Sequence, residues 1–483
     1  MTETDIKAKA KSIDMFIIIL EFVLLNVIWT FEQILLLNKT SKSVYLVFDE
    51  IKPLLEVSFY RNNFHPKVFS KLQNLSNINF LKFKDCISVD CLDQLLELIS
   101  SNCNTLKRLD LSDNWINANY TKRLSGVLRT CTSLNHLDLS CNRIRSEGAT
   151  ELAEVLSSLT SLNHLDLRSN KIKAEGAESL ASLISQCPFI KHFDLSDNNI
   201  GIEGTHSLVK YGVLTNLNSL NLSYNWFEDQ GNDLIENLKE CTILTNLSIA
   251  DNNIDIEGVK RLGRVLPYLT RLVTLNISGN RFDVEGTDII AGVLRKCTTL
   301  THLDFSSNYM DEVGSTSFAQ VFEQCISLVH INLGRNLIKS QGATSLAGVL
   351  GQCTALSHLD LSDNMIEADG IASLALALIC SPIKYLNLSC NLLGSDGAES
   401  LASVLVYPQY PKLVSLDLCN TRIGPNGAAS LARVLVCPHN LLLAIKYLNL
   451  CNNGIGLEMV NTISSMIEQC SKLQTLDLSY NED

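Results

Sequence analysis

No run of lysine and arginine interrupts the 483 residues, and the formal charge is −12. A nucleic-acid surface needs a basic stripe to displace counterions from phosphate, so that class of partner is disfavoured from the outset. Glycine never clusters as G-x-G-x-x-G and no G-K-[ST] follows it, which removes the phosphate-cradling loops of nucleotide-binding folds. Aromatic residues make up only 6% of the chain, so the flat anchors typical of protein interfaces are few and each one stands out. A secretory leader also fits poorly: residues 1–14 hold as many acids as lysines, and no small-residue cleavage site closely follows the apolar run behind them.

What the chain does contain is a repeat. LNHLDLSCNRIRSEGATELAEVLSSLTS (134–161) opens as L-x-x-L-x-L-x-x-N with Leu134, Leu137, Leu139 and Asn142, then passes Ile144 and Gly148 into Ala149, Leu152, Ala153, Val155 and Leu156. The first half alternates as a strand does and the second recurs at helical spacing. The Asn position begins at Asn62 and Cys86, recurs every 27 or 28 residues from Cys86 to Asn391, and continues at Thr421, Asn453 and Asn481, which makes sixteen strands. Length alone would suggest about three domains, but in such an array each unit touches only its neighbours and one core runs throughout.

This is the leucine-rich repeat pattern. Its spacing and helical half resemble the ribonuclease-inhibitor class, shared with Ran GTPase-activating protein and the repeat domains of NOD-like receptors. The resemblance implies an α/β horseshoe solenoid of about sixteen repeats over residues 54–483, with a parallel β-sheet on the concave face and α-helices on the convex face. Residues 1–53 stand apart as an amino-terminal apolar helix and transition segment.

Within each strand the leucines point inward and the residues between them point to the concave face. One column reads Asp110, Asp138, Asp166, Asp194 and, further on, Asp304 and Asp360, with amides between. The residue before the second leucine gives His136, His164 and His192, then His302, His330 and His358, with Arg108, Tyr385 and Tyr447 elsewhere in the row. Serine dominates after the third leucine, where Arg168 is an exception, and Tyr224 and Trp226 flank Asn225. Stacked His and Asp could bind a metal, and Ser, His and Asp together suggest a hydrolase. Both chemistries need side chains that converge on one point, whereas these are spread in rows. The rows read as a polar consensus copied by duplication, forming a surface suited to a basic protein partner. No catalytic residue, metal or cofactor is expected.

Residues 15–37 are apolar and, as one helix, long enough to cross a bilayer at ~34 Å. Asp14, Glu21 and Glu32 fall along one line of that helix, and acids near a helix centre in lipid cost about 2.5–3.5 kcal/mol each. A cap over the first repeat is therefore favoured over a membrane anchor. Nine of the sixteen cysteines occupy the helix end, a slot that Leu159 and Leu269 fill elsewhere, as expected of small buried side chains. Cys141, Cys390, Cys419 and Cys451 lie beside the strands, where like positions of adjacent repeats approach ~5 Å. Reduced thiols in the cytoplasm are expected. The two longer repeats carry extra residues near 407–411 and 437–442, and the chain stops two residues after Asn481, leaving the last strand without a helix.

The functional expectation is a non-catalytic protein-interaction scaffold that binds a protein through the concave face and adjoining loops. Two alternatives are a GTPase-activating protein, although the acidic carboxyl tail of Ran GTPase-activating protein has no counterpart here, and a secreted effector or receptor-type sensing repeat domain.

Overall fold

The computed structural model describes residues 55–60, 72, 78–85, 91–227, 232–405, 412–435, 445–467 and 473–481. Residues 15–37, 407–411 and 437–442, singled out above, lie outside these. The strands are β1 (Leu55–Tyr60), β2 (Ile78–Lys84), β3 (Arg108–Asp110), β4 (His136–Asp138), β5 (His164–Asp166), β6 (His192–Asp194), β7 (Ser219–Asn221), β8 (Asn246–Ser248), β9 (Thr274–Asn276), β10 (His302–Asp304), β11 (His330–Asn332), β12 (His358–Asp360), β13 (Tyr385–Asn387), β14 (Ser415–Asp417), β15 (Tyr447–Asn449) and β16 (Thr475–Asp477). They form one sixteen-stranded parallel sheet in sequence order. The register sets each repeat position beside the same position in the next repeat: Leu137 pairs with Leu165 and Leu165 with Phe193.

From β4 to β15 only the central residue of each three-residue strand is buried, because strand side chains alternate and one face is left to solvent. Helices cover the other face. In Lys173–Ile184, the buried Ala177, Leu180, Ala181 and Ile184 fall at i, i+3, i+4 and i+7, a single apolar stripe turned toward the sheet. In the repeats after β6, β7 and β8 the helical half ends partly in 3-10 turns at Val213–Asn216, Leu238–Glu240 and Leu266–Tyr268. Gly212, in the left-handed region, precedes the first of these turns, and Pro267 lies inside the third.

Helix starts follow the residue three places after the Asn slot. Asp255, Asp283 and Asp311 cap with their carboxylates, accepting from the N–H groups of Gly258, Gly286 and Gly314 at 2.8–2.9 Å. Where Arg145, Lys173 or Gly424 stands there, the residue adopts positive φ, and its N–H donates to the backbone carbonyl of the next repeat's Asn at 2.9–3.1 Å. Either route satisfies a donor at the helix entry.

The Asn slot forms an internal ladder. The Asn198 side chain, fully buried, donates to the carbonyls of Leu167, Leu195 and Ser196 at 2.9–3.0 Å and accepts from the N–H groups of Asn170 and Ile172 at 2.9 and 3.3 Å. At Thr421 the hydroxyl lies 2.6 Å from the Leu418 carbonyl and 3.0 Å from Asn453 Oδ1, so a shorter side chain does part of the same work.

At the helix end, Cys131, Cys187, Cys241, Cys297, Cys325 and Cys353 are buried and free. Burial pushes the thiols of Cys131, Cys241 and Cys325 up to about 12. Cys419 and Cys451 depart from the expectation of reduced thiols: they occupy the same position in consecutive repeats, their Cα atoms are 4.7 Å apart, and they are joined as a disulfide. Parallel register explains the pairing, since β14 and β15 lie side by side and set like positions of the two repeats opposite each other.

Candidate functional site

The sheet carries the expected side chains in two groups rather than one. Asp110, Asp138, Asp166 and Asp194 lie side by side on β3 to β6. Beside them runs a row of flat groups: Arg108 sits 5.0 Å over the Phe80 ring, His136 and His164 stack at 4.0 Å, and His164 and His192 at 5.6 Å. Ser219, Asn246 and Thr274 on β7 to β9 interrupt that row. It resumes with His302, His330, His358 and Tyr385, stacked at 4.3, 3.7 and 4.1 Å, next to Asp304 and Asp360.

Burial disfavours the charged form of four imidazoles in these rows, His136, His164, His330 and His358. Burial, reinforced by His136, His192 and Arg108, lowers the His164 pKa to about 4. His330 and His358 are lowered by burial and then by neighbouring histidines. Thr301 and Ser357 hydroxyls bond the Nδ1 atoms of His302 and His358 at 2.8 and 2.7 Å. Val329 stands at the equivalent place before His330, whose buried Nδ1 has no hydrogen-bond partner among the described residues.

The carboxylates differ from one another. Lys82 lies 2.5 Å from Asp110, and although burial pushes the Asp110 pKa up, Lys82 and Ser112 together bring it below the usual value. Asp166 has Arg168 at 3.9 Å, yet burial and the charges of Asp194 and Asp138 raise it to about 7. An unfolded Asp titrates at about 3.9, so as pH rises through that value the unfolded chain releases its proton first, and the stability of the protonated folded form is lost by pH 7. Asp166→Asn is expected to stabilise the protein by about 1–3 kcal/mol at pH 8 and to have little effect at pH 4. His164 runs the other way: stability present above the unfolded value of about 6.5 is lost as pH falls toward 4. His164→Gln should therefore flatten the acid limb, and urea unfolding followed by circular dichroism at pH 4, 5 and 8 checks both substitutions.

In three repeats of this face the serine proton is directed to a carboxylate. The Ser196, Ser306 and Ser362 hydroxyls donate to the carboxylates of Asp194, Asp304 and Asp360 at 2.6–2.7 Å, within their own repeats. A nucleophilic serine would instead direct its proton to a histidine. Among the described residues, no group of three or more His, Cys, Asp or Glu is placed to hold a metal.

Tyr224 and Trp226 are not on the sheet. They flank Asn225 on the strand-to-helix loop after β7, both at φ 58° and 54% and 62% exposed. Trp115, on the corresponding loop after β3, is 60% exposed and has the Arg143 guanidinium 3.9 Å over its ring. Tyr447 is on β15, two strands beyond Tyr385. Sequence reasoning missed Met365 on this rim, 53% exposed at φ 56°; its place directly after Asn364 was the available signal.

One parallel sheet, one helical layer and an asparagine ladder define a leucine-rich repeat solenoid. A family model described as Leucine Rich repeat matches residues 102–119, 130–153, 158–181, 186–208, 213–231, 296–315, 352–375, 380–402 and 469–482, and those stretches are leucine-rich repeats. An internalin from Listeria monocytogenes strain 4b F2365 is similar at 20% identity and a TM-score of 0.44, over 73% of this chain and 83% of the internalin. No curated protein matches the chain. Among the described residues no helix is long and apolar enough to cross a membrane.

Proposed function

We propose that this leucine-rich repeat protein is a non-catalytic scaffold of the ribonuclease-inhibitor class, which holds a protein partner with a basic surface on its concave face and adjoining loops. The class is supported by the 27- or 28-residue spacing and the helical segments that follow the strands. The binding role rests on one observation: Asp138, Asp166 and Asp194 lie in register beside a row of stacked imidazoles. An open anionic strip of this kind attracts and orients a cationic surface, while giving a small substrate no enclosed site. Tyr224 and Trp226 supply exposed aromatic contact at its rim. A cytoplasmic setting accords with eleven free cysteines against one bonded pair among the described residues.

The test is affinity capture of a stoichiometric partner, repeated with Asp138, Asp166 and Asp194 all changed to Lys. The reversed protein should lose binding by at least about tenfold, mainly through a slower association rate that no longer falls with salt. Retention of the partner by the reversed protein would remove the acidic strip as the contact. Acceleration of GTP hydrolysis by a captured GTPase at catalytic amounts would replace the scaffold reading with an activating one.

A further inference from the structure

The second ring row has a missing member. Tyr385 presents one face to His358 at 4.1 Å with the planes 8° apart, and its other face turns toward β14. There the register places Ser415, and the next residue in the row is Tyr447. Tyr385 and Tyr447 are 39% and 43% exposed. Strands ~4.8 Å apart set the two tyrosines ~10 Å apart, so a flat group over Ser415 would lie ~5 Å from each ring. Asp417 follows two residues after Ser415 on the same face of the strand. Its carboxylate accepts from the Cys419 N–H at 2.9 Å and from the Asn449 amide at 3.2 Å, and no cation pairs with it among the described residues. The Cys419–Cys451 disulfide ties together the two strands that carry Ser415 and Tyr447, which fixes one side of the gap.

We propose that Tyr385, Ser415, Tyr447 and Asp417 form a receptor slot for an arginine side chain of a protein partner. A guanidinium is planar, permanently charged and weakly hydrated, so it stacks between rings and bonds a carboxylate in one pose. The chain already uses that chemistry, because Arg108 takes a place in the first row over Phe80 and next to His136. Lys384 and Lys446, one residue before each tyrosine, add like charge at the strand starts. The slot therefore selects by stacking first and by charge second, and a lysine gains little from it.

This rests on the scaffold reading, but its test needs no partner. The full-length protein is titrated with N-acetyl-arginine amide and, separately, with the lysine, citrulline and tryptophan analogues, and binding is followed by ligand-detected NMR. The arginine compound is expected to bind at least about fivefold more tightly than the lysine compound. Its Cγ and Cδ protons should shift upfield from the ring currents of two tyrosines, which a surface ion pair alone would not cause. Ser415→Phe, which fills the gap and leaves both tyrosines in place, should abolish binding, as should Tyr447→Ala. Tyr268→Ala, an exposed ring in the 3-10 turn Leu266–Tyr268 and outside both rows, should leave it unchanged. Equal binding of arginine and lysine, stronger binding of the tryptophan compound, or persistence of binding in a folded Ser415→Phe protein overturns the proposal. None of these results depends on whether a partner is captured by the acidic strip.

Discussion

Asn198→Ala is expected to destabilise the centre of the array by about 3–5 kcal/mol, because it leaves two buried N–H donors without acceptors at roughly 1–3 kcal/mol each, in addition to the lost amide donations. The side chain ties two consecutive repeats: it bonds Leu167, Asn170 and Ile172 in one and Leu195 and Ser196 in its own, while the backbone N–H of Asn198 donates to the next rung, Asn225, at 3.0 Å. A solenoid unravels locally, so the loss should be concentrated near the substitution. Hydrogen exchange is the appropriate measurement, and the amides of Asn170, Ile172 and the strands β5 to β7 should exchange fastest. Asn198→Thr should be milder, since Thr421 holds a rung in this chain with a hydroxyl alone. Uniform loss of protection along the whole array would contradict the ladder as a local fastener.

The second large effect concerns two glycines of opposite sign. Gly370 sits in the helix Ala368–Leu378, where a Cβ would come within 2.8 Å of Ile366 Cγ2 and within 2.8 Å of the Ser340 Cα. The second contact is backbone in the preceding repeat and cannot rotate away. Gly370→Val should therefore force the two helices apart and destabilise the protein by about 1–3 kcal/mol or more. Gly348, in the helix Lys339–Leu350, has nothing within 4 Å of that point. Gly348→Ala should stabilise the protein by up to about 1 kcal/mol, the helix-propensity difference alone. Thermal unfolding of the two variants reads the contrast, and a stable Gly370→Val protein would show that the helices have slack between them.

Much of the fold was legible because each unit says the same thing. Leu137, Leu165 and Leu416 alternate with polar residues, and Ala177, Leu180, Ala181 and Ile184 follow helical spacing, so strand, helix and core could be assigned before any coordinate. The asparagine rungs were legible for the same reason. What one-dimensional spacing could not supply was the state of individual groups. That Asp166 is raised to about 7 depends on its burial and on Asp194 and Asp138 beside it, while Lys82 pairs with Asp110, and those neighbours exist only once the strands are in register. Serine hydroxyls turn to aspartates rather than histidines because the two share a strand edge, a choice that HLDLS spelling leaves open. Cys419 and Cys451 were placed by spacing in like positions of adjacent repeats, but reduced thiols were expected there; parallel pairing across the longest repeat brings them together as a disulfide. Ser415 drew no notice in sequence, since a small residue in a column of rings matters only once the ring beside it, Tyr385, is seen stacked on His358.

The two ring rows are separated by β7, β8 and β9, so the distance between them is a whole number of strands. From His192 to His302 that is four steps, or ~19 Å. Loss or duplication of one unit in this stretch would move the second row by ~5 Å while leaving every side chain within both rows untouched. Recognition spanning the two rows can thus be retuned like the teeth of a comb, one pitch at a time, by copy number instead of by point substitution.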